Sequence, residues 1–278
     1  VRHARCLSYN PAVPPTAKQP RPPRPDRIAY AMRAMGKSDP PETLAIDGLT
    51  WRRTKIVKHD FFAATAFYHQ PQTNRRAVLK ISRSLDFAGV PLAWLGRWLC
   101  RRELRFYRAL ADLPNIPAIL ATVGQTGFVH DYVPGRPLSR DRPVPDGFFD
   151  QLQELLAEMH RRNLAYVDTN KPENILLGDD GRPHLIDFQI SVDLTDFGDN
   201  RLTRWVLRHF QQADFYHVLK HKKRLRRDEI TPAELEAVTR RSPLIRLHRW
   251  VFKPYFRFRR RTFERLRQSG RLLPEGSK

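Results

Sequence analysis

Four polar side chains within the stretch LAYVDTNKPENILLGDDGRPHLIDFQI, residues 164–190, could do chemistry together: Asp168, Lys171, Asn174 and Asp187. A carboxylate, an ammonium and an amide oxygen lie in one short segment, and a second carboxylate follows the amide by thirteen positions. Oxygen-bearing side chains of this kind, brought to one rim, suit Mg²⁺ and a phosphate. The intervening residues must bring these groups to one place. Two apolar runs, residues 175–177 and 185–186, flank Gly178-Asp179-Asp180-Gly181, which is a hairpin signal. A hairpin with polar groups before its first strand and an acid after its second carries Asp168, Asn174 and Asp187 to one rim.

Upstream, residues 51–57, 64–69 and 76–81 read as strands. The third of these, Ala77-Val78-Leu79-Lys80-Ile81, sets one lysine in an apolar run. Such a lysine needs a counter-charge or must reach out of the core. Residues 92–110 have helical apolar spacing, and Glu103 is the only acid between Asp86 and Asp112. Glu103 is therefore the candidate partner of Lys80, or else simply balances the surrounding arginines. Strands are expected at 119–123 and 127–132, with a hinge over Val133-Pro134-Gly135-Arg136-Pro137-Leu138. Asp146 is placed to cap a helix reaching about Arg162, whose Phe149, Leu152, Leu155, Leu156 and Met159 form one face. His160, in its last turn, reads as structural. A further helix spans about 201–226, and Thr231-Pro232-Ala233-Glu234 is the start of another.

In these residues the chain resembles the protein-kinase-like phosphotransferases, and among them most resembles the bacterial lipopolysaccharide core (Kdo/heptose) kinases. The resemblance covers about residues 51–191. It implies an α+β, bilobal protein-kinase-like fold, with a small β-rich N-lobe and a compact, mainly helical C-lobe. It also implies ATP and Mg as cofactors, Asp168 and Lys171 as catalytic residues, and Asn174 and Asp187 as metal ligands. In the nucleotide site Lys80, held by Glu103, would reach the phosphates, covered by backbone amides at Phe61, Phe62 and Ala63, with adenine near residues 129–133. Several positions depart from the family pattern. Asn174 follows Asp168 by six positions rather than five, Tyr166-Val167 stands for His-Arg, Gln189 stands for the glycine of Asp-Phe-Gly, and the 58–63 turn contains no glycine. The extra residue is either a local bulge that leaves Asp168 in place or a changed geometry. The expected domains are a Pro/Arg-rich arm at 1–45, the N-lobe at 46–133, the C-lobe at 134–243 and a basic aromatic extension at 244–278.

Fifty Lys and Arg against 29 Asp and Glu give a formal charge of +21 over 278 residues, which favours an anionic partner. Two cysteines are too few for a disulfide framework, and no Cys/His spacing suggests zinc. With no apolar run near the length that spans a bilayer, the expected place is the cytoplasm, with contact to the inner face of the inner membrane as an option. Trp94 and Trp98 beside Arg97, Arg101 and Arg102 either pack on the small lobe or form an interfacial knob. The basic aromatic segment from residue 244 either packs its rings on the large lobe with a solvated basic face, or suits anionic lipid or, as the weaker alternative, nucleic acid. The function expected is phosphoryl transfer to a hydroxyl of a sugar, lipid or glycolipid. The alternatives are an impaired pseudokinase or membrane scaffold, suggested by the missing glycines and Gln189, and a basic nucleic-acid-binding protein.

Overall fold

The computed structural model describes residues 30–239, apart from residue 88. The proline-rich stretch at 1–26 and the basic aromatic segment from 244 onward lie outside the described residues. The first part of the fold is one antiparallel sheet of β1 (Thr43–Ile46), β2 (Leu49–His59), β3 (Ala63–Gln70), β4 (Arg75–Ser82), β5 (Ile119–Val123) and β6 (Gly127–Asp131). Its strand order is β1-β2-β3-β4-β6-β5. The sequence of β4 explains its central place: Ala77, Val78, Leu79 and Ile81 are all buried, as a strand covered on both faces requires. Lys80 pairs in register with Thr65 of β3 and Phe128 of β6.

Between β4 and β5 the chain crosses the sheet as α1 (Ala93–Ala109), close to the expected 92–110. Its buried stripe is Cys100, Glu103, Leu104, Phe106 and Tyr107, at helical spacing, so an acid sits in the middle of the core-facing side. Gly96 sets how close α1 comes to the end of β4. A Cβ there would stand 1.7 Å from the Arg83 carbonyl oxygen, so the close approach requires glycine.

The remainder is mainly helical. β7 (Gly135–Pro137) joins a three-stranded sheet with β9 (Ile175–Gly178) and β10 (Pro183–Leu185), in the order β10-β9-β7. The β9–β10 pair is the hairpin read from residues 175–186. β8 (Leu164–Ala165) pairs with β11 (Val192–Asp193). α2 (Phe148–Arg161) buries Phe148, Phe149, Leu152, Leu155, Leu156 and Met159. The expected Asp146 cap is not formed. Gly147 occupies that position at φ 70°, and Asp146 instead meets the Arg226 guanidinium at 2.8 Å. A left-handed residue is what the turn into α2 needs, and glycine adopts it without the Cβ cost an aspartate would bear. α3 (Arg201–Leu225) starts from an Asn200/Thr203 capping box. α4 (Pro232–Thr239) starts as read: Glu234 accepts from the Thr231 amide at 2.8 Å and its own amide donates to Thr231 Oγ1 at 3.2 Å.

One hydrophobic cluster runs through Phe106 and Tyr107 of α1, Phe128 of β6, Phe148 and Leu152 of α2, and Phe188 after β10. The base of α1 thus shares a core with the helical part. The rest of the sheet has its own cluster around Trp51, Tyr68, Leu79 and Val129.

Candidate active site

The loop carrying Asp168 is two consecutive single turns of 3₁₀ helix, Asp168–Asn170 and Pro172–Asn174, joined by extended Lys171. This is how the extra residue is absorbed. The Lys171 amide donates to the Asp168 carbonyl at 3.0 Å and the Asn174 amide to the Lys171 carbonyl at 3.2 Å, which stacks the turns and returns Asn174 beside Asp168. Asn174 Nδ2 donates to Asp168 Oδ2 at 2.7 Å, and Lys171 Nζ donates to the same oxygen at 2.6 Å. Both donors load one carboxylate oxygen, and no hydrogen bond from the described residues reaches Oδ1. Burial raises the Asp168 pKa above its ordinary value, opposed by the Lys171 hydrogen bond.

Lys80 faces the second carboxylate from across the sheet. Its Nζ lies 2.7 Å from Glu103 Oε1 and 2.8 Å from Asp187 Oδ1. Strand, helix and hairpin end therefore meet at one ammonium. Burial by itself would lower the lysine pKa, but the two carboxylates outweigh it and push the value up. Burial is the leading influence on both acids as well, with opposite outcomes. Glu103, fully enclosed, is pushed up to about 7 despite Lys80. Asp187 is held below its ordinary value because Lys80, and then Lys171 and Lys58, outweigh burial. Glu103 Oε2 is buried with no hydrogen-bond partner, so the pair is held by one oxygen only.

Asp187 takes a left-handed φ of 64°, and its amide donates to the Tyr107 hydroxyl at 3.3 Å. The adjoining Phe188 is fully buried. It stacks on Phe106 at 6.3 Å between ring centroids, with Tyr107 edge-on at 4.8 Å and Tyr166 at 5.3 Å. Phe188 thus couples α1, which carries Glu103, to the segment that carries Asp187. Each such contact adds roughly 0.5–1.5 kcal/mol beyond area burial.

Tyr166 and Val167, which depart from the expected His-Arg, have visible structural roles. The Tyr166 hydroxyl donates to the Ile186 carbonyl and lies 3.3 Å from the Asn174 carbonyl, so it ties the two ends of the hairpin. Val167 sits at φ 68°, a conformation that costs a β-branched residue about 1–3 kcal/mol unless its surroundings hold it. Asp214, buried on α3, supplies that hold. It accepts from the Tyr166 amide at 2.9 Å, the Val167 amide at 2.8 Å, the Thr169 hydroxyl at 3.0 Å and His160 Nε2 at 3.2 Å. His160 is accordingly a prop behind the loop. Asp214 was not among the residues singled out from the sequence, and its only signal there was a lone acid within an otherwise basic helix.

The turn between β2 and β3 differs from expectation. The Phe62 and Ala63 amides, expected to cover phosphate, both donate at 2.9 Å to Asp60 Oδ1. A carboxylate of the turn itself occupies the donors, as an Asx turn does. The Phe61 ring lies 4.1 Å from the guanidinium of Arg83. Arg83 is itself buried and donates to the carbonyls of Ala31 at 3.0 Å, Leu85 at 2.9 Å and Phe61 at 3.2 Å. This anchoring fixes the turn from behind. Lys58 Nζ lies 2.8 Å from Asp60 Oδ2.

The donor chemistry suits Mg²⁺. Asn174 spends its amide nitrogen on Asp168, which leaves its carbonyl oxygen as a ligand, and Asp187 stays ionised with one oxygen not engaged by Lys80. Among the described residues no group of three or more His, Cys, Asp or Glu forms a metal cage. A protein that supplies only one or two oxygens is the usual Mg²⁺ arrangement, since the ion keeps water and substrate phosphate as its other ligands.

Solved structures similar to this one include the BubR1 kinase domain, with a TM-score of 0.48 and 16% identity, covering 68% of this chain and 66% of that one. Another is the Rio2 kinase from Chaetomium thermophilum in an ADP/Mg²⁺-phosphoaspartate complex, with a TM-score of 0.47 and 18% identity, covering 71% of this chain and 61% of that one. The chain thus spans slightly less than two thirds of each. No curated protein matches the sequence. The model of the phosphotransferase enzyme family, APH, matches residues 62–249, which include Lys80, Glu103, Asp168, Lys171, Asn174 and Asp187, and the chain belongs to that family.

Proposed function

We propose that the chain transfers the terminal phosphoryl group of ATP, with Mg²⁺, to a hydroxyl of a sugar, lipid or glycolipid. The resemblance to lipopolysaccharide core kinases makes a core-type glycolipid the first acceptor to try. The observation that carries the reading is the Lys80 ammonium held between Glu103 and Asp187, opposite an Asp168 carboxylate with one loaded and one open oxygen.

The residues divide the work as follows. Asp168 receives the acceptor hydroxyl at Oδ1 and takes its proton as the acceptor oxygen bonds to phosphorus and the bond to the ADP oxygen breaks. Its raised pKa makes it a better proton acceptor than an ordinary carboxylate. Lys171 holds Asp168 in place and adds positive charge beside the transferred group. Lys80 reaches the nucleotide phosphates, and Asn174 and Asp187 would hold Mg²⁺, whose charge offsets that of the phosphates. Positioning and electrostatics supply most of the rate in such reactions.

The Asp60 turn favours one second reading, a protein that binds nucleotide poorly or not at all. Calorimetric titration with ATP and Mg²⁺, followed by turnover with candidate acceptors, separates the two. The enzyme reading requires Mg²⁺-dependent binding that weakens in Asp187→Ala. It also requires turnover that falls about 10²–10⁴-fold in Asp168→Asn with binding retained. Absence of binding at millimolar nucleotide would refute it.

A further inference from the structure

Six large apolar side chains are between 46% and 67% exposed in one region: Trp94 and Trp98 on α1, Ile190 and Phe197 after the site, and Leu202 and Trp205 at the start of α3. Burial of Trp94 and Trp98 against the small lobe, one of the two sequence readings, is not what forms. The Arg102 guanidinium lies over the Trp98 ring at 5.2 Å, donates to the Ser191 carbonyl and meets Asp196 at 3.5 Å. Arg105 pairs with the same Asp196. These contacts pin α1 to the 191–196 segment, and Phe197 follows directly. Four residues later α3 begins, with Leu202 and Trp205 one turn apart on one side. Trp94 and Trp98 are thus one turn apart on α1, Ile190 and Phe197 flank the segment that Arg102 and Arg105 hold to it, and Leu202 and Trp205 follow directly.

The charge on this face has one sign left over. Asp193 and Asp196 meet Arg105, and Asp199 meets Arg204 at 2.6 Å. Arg97, Arg101, Arg201 and Arg208 make no ion pair among the described residues. Tryptophan and arginine are enriched at protein-docking surfaces as well, and what favours an anionic layer here is that the unpaired charge of the face is positive throughout. Tryptophan rings that enter a headgroup layer while arginines meet its phosphates are the pattern of an interfacial surface.

We propose that the face formed by the first half of α1, residues 190–197 and the first turn of α3 docks on an anionic lipid bilayer. Ile190 lies three residues beyond Asp187, so docking brings the mouth of the site to the membrane. Resting on the phosphotransferase reading above, the acceptor hydroxyl is then one carried by a lipid or glycolipid in that bilayer.

The test is co-sedimentation of the full chain with vesicles of phosphatidylcholine alone and of phosphatidylcholine with phosphatidylglycerol. Binding to the anionic vesicles only is expected, with a loss of at least about tenfold in the Trp94→Ser/Trp98→Ser/Trp205→Ser chain and in the Arg97→Gln/Arg101→Gln/Arg201→Gln chain. In a Trp250→Phe background the remaining tryptophans are buried Trp51 and the three of this face. Brominated lipid should quench that emission, which locates the contact without relying on the surface variants. Undiminished binding in both variants, absence of quenching, or no binding to anionic vesicles would overturn the proposal. So would self-association of the unaltered chain that the tryptophan variant abolishes. Nucleotide binding is measured in the absence of vesicles, so its failure counts against the phosphotransferase reading alone.

Discussion

Replacing Lys80 by Met tests the centre of the site in energetic terms. The substitution keeps the volume and removes the one cation between Glu103 and Asp187. Asp187 is part-exposed and can turn to water, but Glu103 is enclosed, with its second oxygen already without a partner. Removing one member of a buried pair costs about 3–5 kcal/mol because the other is left uncompensated. The cost must also depend on pH. Glu103 has a folded pKa of about 7 against an unfolded value of 4.5, so the folded state binds the extra proton and stability falls as pH rises between those values. Without Lys80 the folded value rises further and the fall continues above neutrality. Each further pH unit then costs up to about 1.4 kcal/mol that the unaltered chain does not lose. Urea unfolding followed by circular dichroism, at about pH 5.5 and about pH 8, should therefore show Lys80→Met more damaging at the higher pH, by about 1 kcal/mol or more. The double change Lys80→Met/Glu103→Leu, which removes the enclosed acid and leaves only part-exposed Asp187, should recover at least half of the loss and remove most of the pH difference. Nucleotide binding should be lost in both. A cost below about 1 kcal/mol at both pH values, or a double variant as unstable as the sum of its parts, would refute the reasoning.

Other changes probe the supports of the site. Asp214→Ala leaves the Tyr166 and Val167 amides buried and unpaired at about 1–3 kcal/mol each and releases the strained Val167. The midpoint of urea unfolding should drop by the equivalent of about 2–6 kcal/mol, and an unchanged midpoint would show that the loop holds itself. Gly96→Ala would gain about 1 kcal/mol from helix propensity alone. The Cβ 1.7 Å from the Arg83 carbonyl must instead push α1 and Glu103 away, so lower thermal stability and weaker nucleotide binding are expected, and stabilisation would contradict the packing described. Asp60→Gly removes a negative charge and frees the Phe62 and Ala63 amides. Calorimetry should show nucleotide affinity rising several-fold, about 1 kcal/mol for two recovered donors, and a fall in affinity would mean that Asp60 orders the turn for binding.

Much of the site was legible because it is written in local signals. The hairpin of residues 175–186 shows itself through apolar runs around a glycine turn, and Lys80 through its place within a single strand. Glu103 is visible as the one acid on a helical stripe, and α4 through a capping Thr and its reciprocal Glu234. Each of these depends on neighbours a few residues away, and backbone preference acts at that range. What only the tertiary structure decided is which polar groups meet. Lys80 has a second carboxylate 107 positions along the chain, and Asp214 holds amides 47 and 48 positions before it. Tyr166 does by a hydroxyl what no local pattern announces. Asp146 lost its capping position to Gly147 and turned to Arg226, just beyond α3, and Asp60 took the amides expected to cover phosphate. A buried donor or acceptor must be satisfied by whatever the packed chain brings within reach. That choice exists only once burial has removed water as the alternative.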